Sequence, residues 1–293
     1  MKRHIRGKRA SAVPWNMGPS MRRSEQNHSE KPPPTTIRGF IVTNSVFRGC
    51  RNGAMIALVL LGLTPSVCTG NSLELIKKIP HTGYSEGLDF HNGFLWNALP
   101  QQIVKIDPKD GSVVQRFTPA SQYSESIKWA SGSFWNLSFS DNGLYRGKLN
   151  AGGFSFEKIT TVPESHGWGI EKVGSELVVT GNFSNKLYFF DPSIQKWTRT
   201  LETNETDLED LAWDGKRLWT SSYTRHAGKI FSIDLKTGKS EGYWELPNAD
   251  QCPVVDGIAF DGKSLWITGK ECPSIYQVKL PTQRILSSKP NSK

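Results

Sequence analysis

From residue 86 onward short apolar runs alternate with breaks at Gly, Asp and Asn, and one pattern recurs. Val255-Asp256-Gly257-Ile258-Ala259-Phe260 runs into Asp261-Gly262 and out through Lys263-Ser264-Leu265-Trp266-Ile267-Thr268. Two apolar runs around an Asp-Gly pair predict a β-hairpin, because Gly takes the positive φ that a tight two-residue turn needs. Variants begin at Glu86, Ser126, Trp168 and Asp210. The period, roughly 40–47 residues, is that of one four-stranded propeller blade.

Each unit continues into a third strand that ends in turn chemistry. Asp107-Pro108 and Asp110-Gly111 follow residues 102–106, Asp191-Pro192 follows 186–190, and Thr237-Gly238 follows 229–233. Pro presets its own φ and Gly supplies a positive one, so a fourth strand can return. No segment after residue 72 has a helical period. The reading is an all-β, five-bladed β-propeller over residues 72–281, or six blades if 150–167 conceals a degenerate hairpin. Residues 73–79 form a strand with no hairpin partner. Pairing them with the last blade closes the ring and hides an edge that would otherwise pair with other chains.

Charge divides the chain differently. Residues 1–54 hold 11 Lys or Arg against 2 Asp or Glu, a balance of +9 that equals the whole formal charge of the chain. The predicted propeller is therefore neutral, and nothing argues for nucleic-acid binding, which needs a basic face on the domain itself. Residues 1–54 read as a disordered basic leader, and the true start of translation is expected near Val46. Within it begins a signal-peptide-like segment, 46–70. Arg48 and Arg51 precede an apolar run of about ten residues, too short to span a bilayer, and small residues follow between Ser66 and Gly70. An exported protein, periplasmic or secreted, with no membrane span after processing is expected. A retained anchor helix or a lipid on Cys68 are the alternatives. Residues 282–293 read as a flexible tail. Cys252 and Cys272 flank the last hairpin and would pair as a disulfide in an oxidising compartment.

Several motifs carry a likeness. His166-Gly167-Trp168-Gly169-Ile170, Val255-Asp256-Gly257-Ile258-Ala259 and Ile267-Thr268-Gly269-Lys270-Glu271-Cys272-Pro273-Ser274-Ile275-Tyr276 resemble motifs of the plant and bacterial glutamine cyclotransferases. Those read Glu-Gly-Trp-Gly-Leu, Leu-Asn-Gly-Ile-Ala and Val-Thr-Gly-Lys-x-Trp-Pro-x-Leu-Tyr. Ile79-Pro80-His81 with Tyr84-Ser85-Glu86-Gly87-Leu88 resembles that family's opening segment. The resemblance implies a five-bladed propeller that turns N-terminal glutamine into pyroglutamate with no metal or other cofactor. It also locates a site. The family's catalytic Glu falls on Asn97, a Gln on Glu86, one Trp on Phe139 and another on Tyr223. Two family Asn residues fall on Glu209 and Asp256, and only the Lys is kept, as Lys270.

Cyclisation needs a group that carries a proton from the attacking α-amine to the leaving ammonia, and an Asn amide does not titrate. Glu86, Glu209 and Lys270 are therefore the candidate catalytic residues. Asn97, Phe139, Trp168, Tyr223 and Asp256 are the candidate substrate-binding ones, for a peptide N-terminus or a small amine in the channel mouth of a monomer. Two alternatives stay open. One is a non-catalytic propeller that binds a peptide or an envelope partner. The other is a metal-dependent, lactonase-like hydrolase, since Glu, Asn and Asp oxygens suit Ca²⁺ or another divalent ion.

Overall fold

The structure, a computed structural model, describes residues 72–81, 83–224, 228–247 and 251–281. The basic leader, the signal-like segment, Cys50, Cys68, His226 and the C-terminal tail lie outside them. Strand β1 (Leu75–Pro80) leads into five four-stranded sheets. The first holds β2 (Gly87–His91), β3 (Phe94–Leu99), β4 (Gln102–Ile106) and β5 (Val113–Phe117). The second holds β6 (Ser124–Ala130), β7 (Ser133–Ser138), β8 (Gly143–Asn150) and β9 (Gly153–Thr161). The third has β10 (Gly167–Val173), β11 (Glu176–Gly181), β12 (Lys186–Asp191) and β13 (Lys196–Glu202). The fourth has β14 (Leu208–Trp213), β15 (Leu218–Ser222), β16 (Lys229–Asp234) and β17 (Lys239–Glu245). The fifth completes β18 (Gly257–Phe260), β19 (Ser264–Thr268) and β20 (Ser274–Lys279) with β1.

This is the predicted five-bladed propeller, and its ring is closed as expected. β1 runs antiparallel to β20, from Leu75 opposite Val278 to Pro80 opposite Ser274. The strand starts two residues later than the 73–79 expected, because Leu73 donates its N–H to the Glu245 carbonyl of the fourth blade instead (2.9 Å). The stretch 150–167 does contain a hairpin, with Asn150 opposite Gly153, but it is the outer hairpin of the second blade and not a sixth one.

The repeated tryptophans have a local reason. In the Asp-Gly-Lys hairpins, the Asp214 and Asp261 carboxylates accept the indole N–H of Trp219 and Trp266, each at 2.8 Å. In the first two blades the His91 and Ala130 carbonyls take that role for Trp96 and Trp135. A buried indole needs such an acceptor, so the turn and the ring beyond it are specified together. The apolar core comprises five clusters, one at each junction between neighbouring blades. Between the fourth and fifth blades, for example, Trp219, Ile230 and Trp244 meet Ile258, Leu265 and Tyr276. The alternating side chains of each sheet thus leave the blade edges nearest the axis free for polar groups.

Candidate functional site

The innermost strands β2, β6, β10, β14 and β18 bring equivalent positions to the channel. In register, the first position holds Glu86, Glu125, Trp168, Glu209 and Asp256; the second holds Gly87, Ser126, Gly169, Asp210 and Gly257. The third, Leu88 through Ile258, packs into the blades, and the fourth holds Asp89, Lys128, Glu171, Ala212 and Ala259. The channel is therefore lined by polar layers.

The deepest layer is an ion triad. Lys128 Nζ lies 2.7 Å from Asp89 Oδ1 and 2.7 Å from Glu171 Oε2. Asp89 also accepts the Trp129 N–H (2.8 Å), and Glu171 accepts those of Lys172 (2.6 Å) and Trp213 (3.1 Å). Burial opposes the Lys128 charge, but the two carboxylates outweigh it and raise its pKa. Above it, Asp210 accepts N–H bonds from Leu88 (2.7 Å) and Ile258 (3.2 Å) and the hydroxyl of Ser126 (2.9 Å). Burial pushes its carboxyl up to about 8 against the pull of those three donors. One side chain of the fourth blade thereby fastens the first, second and fifth. The contacts of these two layers run from blade to blade, so they hold the ring together.

The mouth differs, because its acids outnumber their partners. Among the described residues, Glu86, Glu125, Glu209 and Asp256 share one cation, Lys270, whose Nζ is 3.2 Å from Glu86 Oε2 and 3.8 Å from Asp256 Oδ2. All four acids are buried, Glu125 at 5% exposure and the others at 3% or less. Burial raises the pKa of each. For Glu125, neighbouring Glu86 adds to the rise; for Glu209, Asp256 does. Asp256 is raised less freely, because Lys270 draws it back. Glu86 rises to about 7, with Lys270 and the Tyr123 hydroxyl opposing its desolvation. Burial disfavours the Lys270 charge too, yet the surrounding carboxyls raise its pKa. Tyr123 donates its hydroxyl to Glu86 Oε1, Glu86 Oε2 faces Lys270, and Asp256 is met by Lys270 and Glu209. Four buried acids around one ammonium make this mouth electrostatically receptive to a further cationic or N–H-bearing group.

An aromatic rim surrounds the acids. Lys270 Nζ sits 5.7 Å from the Tyr84 ring and 5.3 Å from that of Tyr223. Trp168 meets Tyr223 and Phe183 edge to face, at 6.0 and 5.7 Å. Phe183 is 66% exposed and carries a φ of 52°, a left-handed conformation that a bulky side chain adopts only under constraint. Tyr123 packs on Phe139 (5.4 Å), which stacks on His166 (4.0 Å).

The expected site residues are thus brought together unevenly. Glu86, Asp256 and Lys270 are in ionic contact, Glu209 belongs to the same cluster, and Trp168 and Tyr223 touch one another on the rim. Phe139 stands one residue back, behind Tyr123. Asn97 is apart: it accepts the Ser85 hydroxyl (2.6 Å) and gives its amide N–H to His81 Nε2 (3.0 Å). That tautomer leaves His81 Nδ1 as donor to the Cys272 carbonyl (3.4 Å), and burial lowers the His81 pKa, so the imidazole is neutral. Glu125, Tyr123, Tyr84 and Phe183 were not anticipated. Glu125 was legible: it precedes Ser126 as Glu86 precedes Gly87 and Asp256 precedes Gly257. The Cys252–Cys272 disulfide is present.

Among curated proteins none matches this chain. The family model for glutamine cyclotransferase matches residues 58–280. Among solved structures, the crystal structure of Myxococcus xanthus glutaminyl cyclase is similar at 18% identity and a TM-score of 0.60, covering 73% of this chain and 100% of its own. A chain of a mitotic checkpoint complex (10% identity, TM-score 0.45) covers 79% and 99%, and virginiamycin B lyase from Staphylococcus aureus (21%, 0.43) covers 69% and 66%. The glutaminyl cyclase structure speaks for the fold; the family match spans most of the propeller and its channel residues, and the chain belongs to the glutamine cyclotransferase family.

Proposed function

We propose that the channel mouth binds the N-terminal residue of a peptide and cyclises an N-terminal glutamine to pyroglutamate. The α-amine nitrogen attacks the side-chain amide carbon, a new C–N bond forms, the amide C–N bond breaks, and ammonia leaves. The protein must take one proton from the α-amine and return one to the departing nitrogen. The observation that carries the reading is the buried Glu86 carboxyl, held at about 7 with Oε1 facing the Tyr123 hydroxyl and Oε2 the Lys270 ammonium. A group titrating near neutrality accepts and gives back a proton with little penalty in either direction. Lys270 holds this carboxylate in place and presents an ammonium to the amide oxygen, where negative charge develops. Glu125, Glu209 and Asp256 favour the incoming amine, and Tyr84, Trp168 and Tyr223 wall the site against water.

Asn97, fixed between Ser85 and His81, takes no part in the proton transfer. Among the described residues no group of three or more His, Cys, Asp or Glu side chains is disposed to hold an ion. Export is part of the proposal, since a structural disulfide persists in an oxidising compartment.

The test is turnover of a Gln-initiated peptide by the purified protein, with and without EDTA, following loss of ammonia by mass spectrometry. Metal-independent turnover that drops at least about 100-fold in Glu86→Gln, the scale of one general acid–base group, supports the reading. No turnover by the wild-type protein refutes it and leaves a binding propeller.

A further inference from the structure

Two residues of the mouth, Asp256 and Lys270, stand on either side of one disulfide. Cys252 lies four residues before Asp256, and Cys272 two residues after Lys270. Strands β18 and β19 connect them, and the Asp256 N–H bond to the Thr268 carbonyl (3.2 Å) is the last rung of that ladder. Beyond it both segments leave the sheet, so regular hydrogen bonding no longer fixes their separation.

Three contacts do. The disulfide joins Cys252, fully buried, to Cys272, 5% exposed. Gly269 lies flat against the Val254 carbonyl, so close that a Cβ would stand 1.9 Å from that oxygen. The Cys272 N–H returns to the Gly269 carbonyl at 3.4 Å, which makes Lys270 and Glu271 the crest of a turn. The 252–256 side is itself anchored, since Ser221 donates its hydroxyl to the Val255 carbonyl and Gly228 its N–H to that of Pro253 (3.0 Å). The Lys270 turn is thus tied at its base to a fixed segment. Its side chain carries the ammonium that, among the described residues, the four buried acids share.

We propose that Cys252 and Cys272 are positioning residues: their bond sets the distance between the Lys270 turn and the start of β18, and so holds the ammonium between Glu86 and Asp256. The inference rests on the mouth being the reaction site. A disulfide that served stability alone would constrain the unfolded chain wherever it sat. This one joins the two segments on which cation and acid are placed. Loss of the bond frees the turn to swing outward, and Glu86 loses its nearest positive charge while keeping Tyr123, Glu125, Glu209, Asp256 and Tyr84 around it.

The test compares the full-length protein oxidised, and reduced under native conditions, with the variant C252A/C272V, which keeps the pocket apolar. Two quantities are read on each folded form. One is the titration midpoint of the Glu86 carboxyl, followed by carbon-13 NMR. The other is the KM-against-kcat split on a Gln-initiated peptide. Breaking the bond moves the Glu86 midpoint upward by a unit or more, and lowers kcat about tenfold or more with KM less affected, as a small misplacement of a charged group does. A folded protein with the Glu86 midpoint in place and kcat within twofold overturns the proposal. So does global unfolding on loss of the bond in both forms, because the bond then holds the fold and not the mouth. If the oxidised protein has no turnover, the cyclisation reading fails, and the Glu86 midpoint alone decides the role of the disulfide.

Discussion

Replacing Glu86 by Gln should flatten the dependence of folding stability on pH. The Glu86 carboxyl titrates at 4.5 in the absence of the fold and at about 7 within it. A carboxyl raised in this way holds its proton more tightly in the native state. Its contribution is fully present below the unfolded pKa and is lost as pH climbs through the folded one. With about 1.4 kcal/mol for each pKa unit, the wild-type protein loses about 2–3 kcal/mol from this side chain between roughly pH 5 and pH 8. No discount for solvent applies, since Glu86 is 1% exposed. Glu125, Glu209, Asp210 and Asp256 are shifted upward too, so the whole slope is steeper and has the same sign. The assay is urea denaturation of both proteins at several pH values across that range, with m-values checked for equality. The wild-type curve should fall more steeply by that 2–3 kcal/mol. Parallel curves would refute the raised pKa, and with it the fitness of Glu86 to carry a proton at neutral pH.

Two further outcomes follow from the layers beneath and beside the mouth. Lys128→Met strands Asp89 and Glu171 as buried charges and should cost about 3–5 kcal/mol in the same denaturation assay. The triple change D89N/K128M/E171Q should recover most of that loss, and a single change costing under about 1 kcal/mol would show that the triad holds nothing. Asn97→Asp sets a carboxylate against His81 Nε2 in place of an amide donor. The His81 pKa, now lowered by burial, should then rise above 6.5, and an imidazole that still titrates below that value by NMR would contradict the contact of residue 97 with His81 Nε2.

The fold was legible because blade grammar is local. A tight turn between two apolar runs and a period set by four strands both lie within one repeat, and each has a physical cause that one repeat contains. The site was only partly so, because it is assembled across repeats. Glu86, Glu209, Asp256 and Lys270 converge from three blades, yet Glu125 escaped notice because the second unit was read from Ser126. Lys128 sits inside an apolar strand and looks like a surface lysine on an alternating pattern. Only the ring shows that Asp89 and Glu171 lie within 2.7 Å of it. Asn97 entered the expected site by its place in a motif, whereas the neutral His81 and the Ser85 hydroxyl, both upstream of β2, decide what it touches. Sequence spacing carries no information on which of several short polar side chains will find one another first.

The seat of β1 orders events in time. β1 precedes every blade, but its ladder partner β20 is made roughly two hundred residues later. A growing chain can stack its blades one upon the next as they emerge, each meeting only its neighbour, in the manner of a linear array. Both ends of that stack stay open until translation has delivered the final strand. Circularisation is then a single late event, and since the entropy of closing a loop grows only with the logarithm of its length, the long wait adds little to its difficulty. After it, no blade can peel away without breaking two junctions at once. A protease that removed the segment up to residue 80 would spare every hairpin and still return the ring to a row of separable blades.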